Sequence, residues 1–174
     1  MGKVLGIMLV LSGLIAGGAM YYLQVYAFYE EVAVSEEDIV LTSLFSGEPE
    51  PILFENFAGI DSDSSPIRYR ACFETPTSLA LLTETYVIVD EPEPLVAPGW
   101  FDCFDAEQIG ADLEDGTAIA FMGTENIQYG IDRIVAVYPD GRAYAWNEIN
   151  ACGEVVFDGD PVPEGCPTPP ERAN

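Results

Sequence analysis

IDRIVAVYPDGRAYAWNEI, residues 131–149, is the stretch that decides the fold. Two runs rich in β-branched and aromatic residues flank Pro139-Asp140-Gly141, where proline presets a turn and glycine accepts a positive φ. The reading is a β-hairpin, 131–138 against 142–149. Side chains alternate along a strand, so Arg142, Tyr144 and Trp146 share one face while Ala143 and Ala145 take the other.

Upstream of the hairpin, residues 117–122 read as a strand. A helix over 106–114 precedes it, with Asp105 and Gln108 at the spacing of a capping box and Gly116 as its stop. The Pro-rich residues 91–98 break the pattern. Before them come the β-favouring residues 86–89 and a short helix, 78–85, that packs Leu79 and Leu82. Apolar runs at 39–45, 52–60 and 67–73 are separated by turn-rich stretches at 47–51 and 61–66, and the first and third runs read as strands. The expected fold class is α+β, short helices on a mainly antiparallel sheet. The expected organisation is an anchor over 1–29, an acidic domain over 30–157 that begins with a polar stalk at 30–38, and a Pro-rich tail over 158–174.

The chain has 174 residues, enough for one compact domain beyond the anchor. It carries 30 Asp and Glu against 6 Lys and Arg and has no histidine. Every acidic residue follows Tyr29, so the whole negative field belongs to the domain. Such a field repels phosphate backbones, which excludes nucleic acid as a partner, and attracts basic proteins at low salt.

Residues 4–29 hold no charge. As a helix rising ~1.5 Å per residue they would exceed the ~30 Å hydrocarbon core, so the segment can span a membrane. The competing reading is a cleaved signal peptide, with Lys3 as its n-region and Ala16, Gly18 or Ala19 near a cleavage site. The apolar run continues past Ala19 through Tyr21, Tyr22, Tyr26, Phe28 and Tyr29, an aromatic belt that favours a retained anchor. Lys3 on the short side predicts a cytoplasmic N-terminus and an exported domain. Gly6, Gly13, Gly17 and Gln24 fall on one helix face, and Gly13 with Gly17 forms a small-xxx-small pair suited to helix–helix packing.

Cys72, Cys103, Cys152 and Cys166 all lie in the exported part, which predicts two disulfides rather than a zinc site, since no Cys-x-x-Cys spacing is present. Of three connectivities the expected one is Cys72–Cys103 with Cys152–Cys166. The second pair closes a loop of about fifteen residues, worth ~3 kcal/mol in the chain-entropy model, and fastens the tail. The first rests on an internal echo: Cys72-Phe73-Glu74 and Cys103-Phe104-Asp105 each precede a short helical stretch and an apolar run.

Phosphate-binding, dinucleotide and nucleophile-elbow motifs are absent, and general-base chemistry would rest on carboxylates alone. No cofactor and no enzymatic activity are expected. Asp61-Ser62-Asp63-Ser64 has the start of a calcium loop, but Pro66 stands where glycine is required and Cys72 where the bidentate glutamate belongs. Trp100, Phe101, Arg142, Tyr144 and Trp146 form a candidate partner surface, with burial in the core as the competing reading for its aromatics.

Three stretches together carry a family resemblance: Tyr21-Tyr22-Leu23-Gln24-Val25-Tyr26 at the end of the anchor, residues 95–105 around Trp100, and residues 138–146 around the hairpin turn. The chain resembles an uncharacterised family of small single-pass inner-membrane proteins from Rhodobacter-like alphaproteobacteria. The resemblance implies a bacterial inner membrane with the domain in the periplasm, and implies no active site. The leading expectation is a non-enzymatic accessory or assembly subunit of a membrane protein complex. The first alternative is an electrostatic docking site for a basic periplasmic protein such as a c-type cytochrome. The second is a periplasmic enzyme or ligand-binding domain.

Overall fold

The computed structural model describes residues 2–33 and 39–170. Its elements are α1 (Gly2–Tyr22), a π-helical turn (Leu23–Ala27), β1 (Glu30–Glu31), β2 (Val40–Thr42), β3 (Pro49–Pro51), β4 (Glu55–Asp61), β5 (Arg70–Glu74), α2 (Leu79–Thr85), α3 (Ala106–Glu114), β6 (Ile119–Gln128), β7 (Ile131–Val137), β8 (Arg142–Ile149) and α4 (Ala151–Phe157). The fold class is α+β as expected. Six antiparallel strands run in the order β1-β4-β5-β8-β7-β6, and β2 with β3 forms a separate two-stranded sheet.

The hairpin forms with Val137 opposite Ala143 and Ile131 opposite Ile149, and Gly141 takes φ +91° at its turn. Alternation along β8 then sorts its side chains between two cores. Ala143 and Ala145 join Phe73, Phe121, Val135, Val137 and Tyr69 on one face, covered by Leu41 of β2, by Ile39 and Ile52 flanking the β2–β3 pair, and by Leu82 from α2. Trp146 joins Cys72, Phe104, Ile134 and Ala136 on the other, covered by Ile109 of α3. The small alanines let one layer approach closely, while Trp146 fills the space under α3. Both faces are therefore covered along the middle of β8.

Capping chemistry sets the helix starts. Ser78 Oγ accepts from the Leu81 amide, Asp105 Oδ1 from the Gln108 amide and Asn150 Oδ1 from the Gly153 amide, each satisfying one donor orphaned at a helix start. The capping box at Asp105 is half formed, because the Gln108 side chain donates forward to Asp112 Oδ1 at 2.8 Å instead of back to Asp105.

Several local expectations need correction. The strand expected over 39–45 shortens to Val40–Thr42, because Ser43 Oγ accepts from the Phe45 and Ser46 amides and turns the chain, with Gly47 at φ +72°. Residues 86–89 make isolated bridges instead of a strand, Ser43 to Tyr86 and Ile88 to Phe121, and so stitch the two sheets together. Within the polar stalk, Glu30 and Glu31 pair with Asp61 and Ile60 as an edge strand, and residues 34–38 lie outside the described residues. Helix α4 has no counterpart in the sequence reading. Both disulfides pair as expected, Cys72–Cys103 and Cys152–Cys166.

Candidate functional site: the junction of helix and domain

The described helix is one apolar stretch over Gly2–Ala27, long enough to cross a membrane; a signal sequence would meet the same criterion. All of its residues except the half-buried Val25 are exposed. Added Cβ atoms at Gly6, Gly13 and Gly17 meet nothing within 4 Å, so that face is bare, and Gln24 beside it is exposed in the π-helical turn.

Where the helix ends, the domain reaches back to hold it. The Trp100 indole Nε1 donates to the Val25 carbonyl oxygen at 2.7 Å, supplying a partner to one of the acceptors that a helix C-terminus leaves open. Its ring stacks on Tyr26 with centroids 6.1 Å apart and meets Tyr29 edge-on at 6.0 Å. Tyr26 in turn stacks on Tyr22 at 5.9 Å. Arg68 lies over the Tyr29 ring at 5.5 Å, and its Nη1 is buried without a hydrogen-bond acceptor among the described residues. Only Phe28 and Tyr29 separate the π-helical turn from β1, so the helix runs into the sheet edge almost without a tether.

Trp100 is itself held from three sides. The disulfide to Cys72 on β5 pins Cys103, three residues away. The Arg70 guanidinium, buried beneath the loop, donates from Nε to the Leu95 carbonyl at 2.6 Å and from Nη1 to those of Ile67 and Tyr69, and it faces the Phe104 ring at 5.7 Å. Burial draws the Arg70 pKa down to about 10, which still leaves it charged at neutral pH. Glu148 accepts from Trp146 Nε1 and from the Glu93 amide, each at 3.0 Å, tying the start of the same loop to β8. Desolvation by burial raises the Glu148 pKa against the opposing pull of those two hydrogen bonds.

The five residues of the candidate partner surface are divided. Trp100 and Phe101 sit together at the junction, with centroids 6.3 Å apart. Trp146 has 0% exposure and packs on Phe104, so it is core and out of a partner's reach; sharing a strand face with Arg142 does not make that face solvent-exposed. Tyr144 is half-buried against Phe104 and Tyr138. Arg142 is exposed at the opposite end of β8, paired with Asp140 at 2.7 Å, an ion pair of a kind worth only ~0–1 kcal/mol. The junction residues missed by sequence reasoning are Arg68, Arg70 and Glu148. An arginine and a glutamate inside apolar runs are the signal that could have pointed to the last two.

Two other concavities lie on the described surface. A polar cleft of about 370 Å³ is lined by residues 61–66 with Arg133 and Asn147. There the Ser62 and Ser64 hydroxyls bond each other at 2.8 Å and Asp61 Oδ1 accepts from the Ser62 amide, so the calcium-like loop satisfies much of its polarity internally. Among the described residues no group of three or more Asp, Glu, Cys or His is placed to hold a metal. A groove of about 900 Å³ runs between residues 91–94 and α3, with Glu91, Glu93, Glu107 and Glu114 on its walls.

A family model matches residues 39–167, that of the family of unknown function DUF6446. The chain belongs to this family. The matched stretch of this DUF6446 protein holds both disulfides, Arg70, Glu148 and the Trp100 loop, while Val25, Tyr26 and Tyr29 precede it. No curated protein and no solved structure matches the chain.

Proposed function

We propose that this DUF6446 protein is a non-enzymatic accessory or assembly subunit of a bacterial inner-membrane complex, with α1 retained as its anchor, the N-terminus cytoplasmic and the acidic domain periplasmic. The observation that carries the reading is the stiff junction: Trp100 grips Val25, and β1 follows the helix after two residues. A domain fixed to its helix in this way is presented to a neighbour in one orientation, with little orientational freedom left to lose on binding. The bare glycine face of the same helix is suited to close packing against another span. The grip on residues 25–29 also supports retention of the anchor. Purification in mild detergent followed by mass spectrometry tests the reading. A stable partner should co-purify and should be lost in Gly13→Leu and Gly17→Leu variants whose domain melting is unchanged; recovery of the wild type only as a free monomer across several gentle conditions would count decisively against it.

A second reading, docking of a basic periplasmic protein, is favoured by the groove walled by Glu91, Glu93, Glu107 and Glu114 in a chain of net charge −24. Attraction between exposed charges is screened within ~8 Å at physiological ionic strength, so this association should fall steeply with salt, whereas a packed transmembrane contact should barely change. Absence of binding to basic proteins at low ionic strength removes it.

A further inference from the structure

Between Glu93 and Asp102 lies a run of residues, 94–101, without a single charge. Its apolar side chains are not all used for packing: Val96 is 81% exposed, although the Val96 and Leu95 carbonyls beneath it are held by the Arg70 guanidinium. The loop is also stiff. Besides Arg70 and the Cys72–Cys103 bond, the Phe101 amide closes a turn on the Pro98 carbonyl at 2.8 Å. An exposed valine on a rigid, uncharged loop is not explained by the core of the domain.

The position of Trp100, four residues further along the loop, relative to the helix supplies an explanation. The rise from Lys3 to Val25 is about 33 Å at ~1.5 Å per residue, close to the ~30 Å hydrocarbon core. With Lys3 at one face of a bilayer, Val25 lies at the other, and Trp100 is hydrogen-bonded to Val25. Tyr22 and Tyr26 stack at the same level, as aromatic residues do where one side of the ring is apolar and its polar tip is wet. The absence of carboxylates from the loop removes the charge that would oppose entry into that layer.

We propose that the 95–101 loop is a second membrane contact, with Val96 and Trp100 resting in the boundary between headgroups and acyl chains of the bilayer that α1 crosses. This rests on α1 being a retained span. The ligand is the lipid surface itself, and the domain is thereby seated on its membrane at two points, the helix and the loop.

Full-length protein reconstituted alone into phosphatidylcholine vesicles tests this without any protein partner. The chain has two tryptophans, and Trp146 is buried in the core, so lipid-dependent quenching reads Trp100. Bromines placed on the acyl chains near the headgroup should quench emission strongly, and bromines near the bilayer centre less. Trp100→Phe should abolish the quenchable component, and Val96→Glu should reduce quenching while leaving thermal melting unchanged. Equal emission in brominated and plain vesicles, or deepest bromines quenching most, would overturn the loop contact even where the protein resists alkaline carbonate extraction and the span therefore stands. Release of the protein by carbonate would overturn the span and the loop together.

Discussion

Gly130 and Gly153 meet so closely that a Cβ built on Gly130 would lie 2.5 Å from the Gly153 Cα. The contact joins the β6–β7 turn, where Gly130 has φ +74°, to the first turn of α4, and the Asn150 amide donates to the Gly130 carbonyl at 3.0 Å beside it. A methyl at Gly153 would also meet Ile149 Cγ2 at 2.9 Å. Gly153→Ala should therefore lift α4 off the turn and lower stability by ~1–3 kcal/mol, read from urea midpoints. Gly110→Ala in α3 should do the reverse. Its new Cβ would find only Pro94 at an ordinary 3.8 Å, and removing a helical glycine gains ~0.5–1 kcal/mol.

Trp100→Phe keeps a ring at the junction but removes the donor to Val25. Loss of one such bond is worth ~1 kcal/mol, too little to unfold the domain. Hydrogen exchange should accelerate at residues 26–32, including the Val32 amide that donates to Gly59, while amides of β5 and β8 keep their protection. Uniform acceleration across the sheet would show that Trp100 supports the whole fold and not the junction.

The two disulfides should differ in what they release. Replacing Cys152 and Cys166 with alanine frees the tail and costs ~3 kcal/mol by chain entropy. Replacing Cys72 and Cys103 frees the Trp100 loop at a comparable ~3–4 kcal/mol for its longer closed segment, and should raise junction exchange as Trp100→Phe does. Because the chain carries a net charge of −24, calorimetric melting of either variant should drop further at low ionic strength, where acid–acid repulsion is least screened.

Glu148 gives a pH dependence of definite sign. Burial raises its folded-state pKa above the unfolded value, so its favourable contribution is complete below the ordinary glutamate range and is lost as pH rises through the raised value. Between pH 4 and 7 the wild type should lose stability more steeply than Glu148→Gln, whose amide oxygen can still accept from Trp146 and Glu93. Parallel urea midpoints for the two proteins across that window would contradict the assignment.

What could be read along the chain was what neighbouring residues decide among themselves. Pro139-Asp140-Gly141 specifies its turn by φ preferences, Asp105 caps Ala106–Glu114 within one turn, and the apolar run at the N-terminus is a matter of length and composition. The disulfide pairing was legible too, for the tail through its short closed loop. Helix α4 was not, because Gly153, Val155 and Val156 are poor helix formers and the segment is stabilised by docking on Gly130 and by the Asn126–Asp132–Asn150 hydrogen bonds. Residues 86–89 have strand propensity, but their bridge partners are Ser43, just beyond β2, and Phe121 of β6, at two different sheets.

The division between sequence and tertiary structure is clearest at two tryptophans. Alternation along β8 was enough to put Trp146 on the face of Arg142, but whether that face is wet depends on α3 and the Cys103 loop lying across it, which is a matter of long-range packing. For Trp100 the sequence left partner surface and core as competing readings, and only the folded chain brings its indole to Val25, 75 residues away. Local chemistry determined the β7–β8 hairpin, the capped helix α3, the acidic field and the apolar helix. The tertiary structure decided which faces are covered and how the domain grips that helix, because those contacts form between residues whose spacing in the chain carries no period to read.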